Sequence, residues 1–156
     1  MSREMSKPGA TSLFTIGFTQ KSAERFFALL QSSGVRTVVD TRLNNTGQLA
    51  GFAKRDDLRY FLDSIAHVSY VHWLESAPSE ELLSAYKKKR ITWDQYENEY
   101  RSLIAARKIE ESDIAKSLDS ACLLCSEAKP HRCHRRILAE YLADKYPDRF
   151  SIKHLV

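Results

Sequence analysis

Short apolar runs rich in β-branched residues alternate with amphipathic helical stretches along nearly the whole chain. That alternation restricts the fold more than any other feature. Leu13-Phe14-Thr15-Ile16-Gly17 is a β-prone run ending at glycine. Residues 22–33 follow, with Ala23, Phe26, Phe27 and Leu30 on one helical stripe and Gly34 where a helix C-cap belongs. Thr37-Val38-Val39-Asp40 is a buried strand ending in an acid, and residues 41–50, holding Asn44, Asn45 and Gly47, read as loop. Residues 56–65 carry Leu58, Phe61, Leu62 and Ile65 at helical spacing, and residues 69–73 form a third strand. Pro78-Ser79-Glu80-Glu81 starts a helix with Ser79 as N-cap. Thr92 and Gln95 open another by a capping box, and its stripe is Trp93, Tyr96, Tyr100 and Leu103. Residues 121–125 make a fourth strand and residues 133–146 a helix that buries Ile137, Leu138, Tyr141 and Leu142. Residues 150–155 alternate as a last strand.

This order predicts one three-layer α/β domain over residues 13–156, with a mostly parallel sheet and helices on both faces. Residues 79–107 become a helical insertion between strands 3 and 4, serving as a lid or side wall. The 156 residues suffice for one core, and residues 1–12 read as a flexible tail. No apolar run approaches the roughly 20 residues of a membrane helix, and the first ten residues lack an apolar signal core. The expectation is a cytoplasmic protein with no membrane association and no cofactor; oligomeric state is not legible.

In open parallel sheets, ligands sit at the carboxyl ends of the strands. The polar residues there are Thr15, Gly17, Asp40, Arg42, His72, Cys125 and Glu127. The sharpest signal is the strand-loop-helix passage from Leu123 to Arg136. A helix start carries unpaired N–H groups and partial positive charge, so cations there cost about 0.3–1 kcal/mol each. Yet Arg132, Arg135 and Arg136 crowd this start, with His131 and His134 beside them. An anion docked on the helix start would reverse the sign of that cost. The competing explanation is a surface ion-pair network in which Glu127 and Glu140 offset the arginines. Asp40 would orient Arg42 or His134, and Arg42 would grip a phosphate or carboxylate. His72 and His134 are the candidate proton carriers, and Cys133, in the positive field of the helix, is the candidate nucleophile. His72 and Cys133 each have a structural alternative: a satisfied histidine beside Trp73, and a buried thiol one turn before Ile137.

The three cysteines, Cys122, Cys125 and Cys133, do not form a secreted disulfide framework, so reduced thiols are expected. No metal is expected. If one binds, Cys125, Cys133 and His134 would hold it, with His67, His72 or His154 as a fourth ligand, and the same three residues offer a third reading, a metal or thiol sensor. A phosphatase or rhodanese-like loop fits poorly, because Glu127 and Pro130 interrupt it. The net charge of +4 favours anionic partners, either a small phosphorylated molecule or nucleic acid. Lys87-Lys88-Lys89-Arg90 could touch a nucleic-acid backbone, but cations at a helix end also complement its dipole. Trp93, Tyr96 and Tyr100 at helical spacing read as core rather than as a stacking platform.

Several of these segments together resemble the family called domain of unknown function 488. They are Thr15-Ile16-Gly17, Asp40-Thr41-Arg42, Tyr70-Val71-His72, Ala77-Pro78-Ser79, Glu81-Leu82-Leu83, and above all Leu124-Cys125-Ser126-Glu127 with Cys133-His134-Arg135. The resemblance implies a single α/β domain with these residues gathered at one sheet edge, and it supplies no reaction. Two departures stand out. Phe18 and Thr19 occupy positions where many relatives carry His or Tyr and then Ser, which removes a proton carrier. Leu74-Glu75-Ser76-Ala77 stands where relatives often have a glycine pair.

Overall fold

The computed structural model describes residues 10–46, 51–127, 130 and 132–156. The expected tail up to residue 9, the loop end at 47–50 and His131 lie outside the described residues. Five strands form one all-parallel sheet in the order β3-β2-β4-β1-β5: β1 Thr11–Gly17, β2 Thr37–Asp40, β3 Ser69–His72, β4 Ala121–Cys125 and β5 Phe150–Leu155. The fold is the α/β arrangement that the alternation predicts. Strand β1 starts two residues earlier than its apolar run, because Thr11 and Ser12 pair with Phe150 and Ser151 of β5.

Alternate residues of each strand feed two separate cores, as the two-residue period of a strand requires. Leu13, Val39, Ala121 and Leu123 face α3 (Glu80–Lys87), α4 (Trp93–Ala106), α5 (Asp113–Lys116) and α6 (His134–Lys145). Phe14, Ile16, Val38, Cys122 and Leu124 face α1 (Ala23–Ser33) and α2 (Arg55–Phe61). The central strand β4 is fully buried and reads as an unbroken apolar run for that reason.

The helix boundaries follow local chemistry. Ser22, Ser79 and Thr92 each accept a backbone N–H of their helix's first turn, and Thr92 with Gln95 completes the capping box. Gly34 ends α1 at φ 77°, a conformation that strains any residue with a Cβ. Two short helical pieces, Ile109–Glu111 and Asp113–Lys116, follow α4 and have no counterpart in the expected elements. The expected helix over residues 56–65 is α2 followed by a wider turn, Leu62–Ala66, that His67 closes at φ 54°. No helix among the described residues is long and apolar enough to cross a membrane.

Candidate functional site

Strand β2 connects through α2 on one face of the sheet to β3, whereas the adjacent β4 connects through α6 on the other face to β5. The loops at their carboxyl ends therefore diverge, which is where an open parallel sheet forms a crevice. A cleft of about 250 Å³ lies there. Phe18, Arg42, Leu43 and Asn44 line it after β1 and β2; Cys125, Ser126, Glu127, Arg132, Cys133 and His134 line it between β4 and α6. The α3–α4 insertion forms the remaining wall through Leu83, Tyr86, Lys87, Trp93 and Tyr96. Those aromatics pack mutually, with Trp93 stacked on Tyr96 at 5.0 Å and Tyr86 edging Trp93 at 5.4 Å.

Asp40, fully buried at the end of β2, organises one side of the cleft. It accepts from Arg42 Nε at 2.9 Å and Nη2 at 2.8 Å, and from the Tyr70 hydroxyl at 2.6 Å. Burial alone would raise the Asp40 carboxyl; the hydrogen bonds and charge of Arg42, with help from Tyr70, outweigh it and hold the group below its usual range. The Tyr70 hydroxyl is pushed up, first by burial and then by Asp40. Arg42 also lies over the Phe18 ring, 5.2 Å from its centroid. Thus Phe18 supports the guanidinium, and Arg42 is 8% exposed at the cleft edge. His72 Nε2 donates to the Arg42 carbonyl at 2.8 Å; a carbonyl only accepts, so Nε2 carries the proton there.

The three arginines at the start of α6 separate into different roles. Arg136 joins Glu140 at 3.0 Å and Glu97 at 2.9 Å, and Arg101 extends the network to Glu97 at 3.6 Å and Glu140 at 3.2 Å. That is the ion-pair explanation, with Glu97 of α4 in place of Glu127. Arg135 turns inward and is fully buried. It donates to Thr15 Oγ1 at 3.3 Å, to Cys125 Sγ at 3.3 Å and to the Glu127 carbonyl. Burial lowers its ionisation to about 10, so it stays charged at neutral pH. Only Arg132 of the three lines the cleft.

The loop after β4 runs directly over the end of β1. A Cβ at Gly17 would stand 1.5 Å from the Glu127 carbonyl oxygen and 2.6 Å from Arg135 Nη1, so only glycine fits. The Thr19 N–H donates to the Ser126 carbonyl at 3.0 Å and locks the two loops together.

His134 opens α6 and packs edge-on to Tyr100. Its Nε2 lies 2.9 Å from the Thr41 carbonyl and 3.0 Å from Thr41 Oγ1. The Thr41 hydroxyl proton already goes to the Leu124 carbonyl at 2.7 Å, so both contacts are acceptors and Nε2 carries the ring proton. Burial, with Arg135 adding repulsion against the pull of the Thr41 carbonyl, lowers the imidazole to about 4, and it is neutral at physiological pH.

Cys125, at the end of β4, and Cys133, the N-cap residue of α6, are joined in a disulfide. This corrects the expectation of three reduced thiols: the strand-loop-helix turn brings two residues eight apart into contact. Cys122 is the one free cysteine, buried on the opposite face of β4, and burial pushes its thiol up. The Cys125 and Cys133 sulfurs and a ring nitrogen of His134 lie within 4.8 Å of one another.

A profile described as Domain of unknown function DUF488 matches residues 22–142, most of the chain. The chain belongs to the DUF488 family. No curated protein and no solved structure matches it. The DUF488 match contains both the Cys125 and Cys133 segments but begins after β1, so Thr15-Ile16-Gly17 lies outside it.

In this DUF488 chain the cleft gathers five of the expected site residues: Arg42, Cys125, Glu127, Cys133 and His134. Thr15, Gly17, Asp40, His72 and Arg135 are not part of its lining. Thr15 instead bridges Arg135 and His154, whose Nδ1 is 2.6 Å from its hydroxyl. The sequence suggests Lys87 only as a nucleic-acid contact, Arg132 only as part of the charged helix start, and Trp93 and Tyr96 as core; all four line the cleft. Tyr96 packs in the core, as its spacing implies, and the partly buried Trp93 packs against that core; both also line the cleft.

Proposed function

We propose that the cleft binds a small phosphate-bearing molecule with a flat apolar part, of the nucleotide class. The observation that carries this reading is the charge of the lining: Arg42, Lys87 and Arg132 against the single carboxylate of Glu127. The start of α6 adds partial positive charge from a helix that has no acid in its first turn and no side-chain cap. Asp40 takes the Nε–Nη2 edge of the Arg42 guanidinium and leaves Nη1 for a ligand oxygen, already oriented. The volume of about 250 Å³ suits a small molecule, and the Tyr86–Trp93–Tyr96 wall offers a ring an apolar surface.

A thermal-shift series tests the proposal, using nucleoside monophosphates, the matching nucleosides and inorganic phosphate. A ligand at a hundredfold excess over its dissociation constant stabilises by about 2.7 kcal/mol. Wild type should gain stability with nucleotide more than with nucleoside. Arg132→Ala and Lys87→Ala, both at exposed positions, should lose most of that gain while folding normally. Equal gains in wild type and both variants would sink the reading.

A further inference from the structure

The bond between Cys125 and Cys133 is buried, with the two residues 1% and 3% exposed, and both border the cleft. A bridge between residues eight apart removes less chain entropy than a long-range one, so a purely stabilising role gains little from it. Its surroundings favour the opened form. Arg135 Nη1 donates to Cys125 Sγ at 3.3 Å, and a cationic donor stabilises a thiolate. Cys133 occupies the N-cap of the twelve-residue α6, whose first turn carries no acid, and a helix N-terminus also stabilises a thiolate. Two independent devices thus serve the two sulfurs, while the third cysteine, Cys122, has a thiol that burial keeps protonated.

We infer that Cys125 and Cys133, held between the Arg135 guanidinium and the start of α6 in a cation-lined cleft, form a thiol–disulfide exchange couple. Its partner is a small thiol carrying carboxylates, of the glutathione class; the charge of that partner rests on the anion reading of the cleft. A small thiolate attacks Cys133 Sγ, and the bond to Cys125 breaks. The electron pair leaves on Cys125 as a thiolate, stabilised by Arg135. A second small thiolate attacks the small-molecule sulfur of the mixed disulfide and releases Cys133. Two small thiols are oxidised to one disulfide, the protein disulfide is reduced, and the two thiol protons pass through solvent to the cysteines.

The test equilibrates the full chain in mixtures of reduced and oxidised glutathione, quenches with acid, alkylates, and reads the cysteines by mass spectrometry. Cys125 and Cys133 should interconvert as a pair while Cys122 remains a thiol at every ratio. Cys125→Ser should capture glutathione on Cys133, and Cys133→Ser should capture it on Cys125. Glutathione should exchange faster than neutral 2-mercaptoethanol, and Arg132→Ala with Lys87→Ala should erase that preference. A bond that opens only in denaturant would overturn the couple and leave a structural crosslink. Reduced protein that retains one zinc ion per chain, and oxidises only after chelation, would overturn it in favour of a metal site on Cys125, Cys133 and His134. Equal rates with charged and neutral thiols would overturn the anionic partner, and the anion reading with it, while the couple stands.

Discussion

His134 couples the cleft to the pH dependence of stability. The folded protein lowers its ionisation from 6.5 to about 4, chiefly by burial. As pH falls below 6.5 the unfolded chain takes up a proton that the folded chain refuses until about 4. Stability from the neutral ring is therefore complete above the higher value and is lost on acidification through that window, up to on the order of 3 kcal/mol. Asp40 acts in a different range, because its lowered carboxyl loses its contribution only below the ordinary 3.8. Denaturant unfolding at about pH 7 and about pH 5 reads His134 together with His154, whose ionisation burial also lowers, and substitution separates the two. His134→Gln keeps an N–H for the Thr41 carbonyl but cannot titrate, and it should flatten the acid slope; identical slopes in the two proteins would refute the assignment. Gly17→Ala should be worse than an ordinary surface change, since its methyl group meets backbone at 1.5 Å. Displacing the β4–α6 loop should cost about 1–3 kcal/mol or more, visible as a lower unfolding midpoint. At this scale the sequence was informative about identity and poor on direction. Asp40 and Arg42, two apart at a strand end, do pair as their spacing suggests. Nothing in the local pattern distinguishes Arg135, which is fully buried, from Arg136, which reaches Glu97 and Glu140. That choice is made by which side of α6 meets the sheet.

The helices α3 and α4 were the most legible elements, because their ends are written in short-range chemistry. Ser79 and Thr92 accept the N–H groups of Leu82 and Gln95 at 3.1 and 3.2 Å, and Gln95 returns a bond to the Thr92 N–H at 2.8 Å. Thr92→Ala should cost about 1 kcal/mol of stability. Because this helix presents Trp93 and Tyr96 to the cleft, the same change should weaken nucleotide stabilisation in the thermal-shift series more than Ser22→Ala, which uncaps α1 on the far face. An equal effect of both would mean that α4 does not shape the ligand wall. The pieces Ile109–Glu111 and Asp113–Lys116 escaped sequence reading because neither is long enough to show a helical period, although Ser112 caps the second through the Ala115 N–H at 3.2 Å. Periodicity assigns the aromatic stripe of α4 to the core because it reports only which face is inward, and a cleft wall and a core share that face.

Across the whole molecule, net charge is a weaker guide than its placement. Of the cations near α6, Arg101 and Arg136 are tied to Glu97 and Glu140, and Arg135 is enclosed. What remains around the opening is Lys87 and Arg132, with Arg42 held there by Asp40 and the exposed Lys88–Arg90 run following Lys87. The two classes of partner therefore make different demands on salt. A protein neutralising 6–10 phosphates of a duplex loses about 10³–10⁵ in affinity between roughly 50 and 200 mM salt. A nucleoside monophosphate held by three cations in a partly enclosed cleft should lose about tenfold or less over the same range, since screening acts weakly on partly buried charges. Measuring both probes on the same preparation separates the readings. Shallow salt dependence with the nucleotide and no binding of duplex at the higher salt would fit the cleft. Tight duplex binding with a steep slope, weakened by substitutions in the exposed Lys88–Arg90 run but not at Arg132, would move the functional surface from the sheet edge to the end of α3.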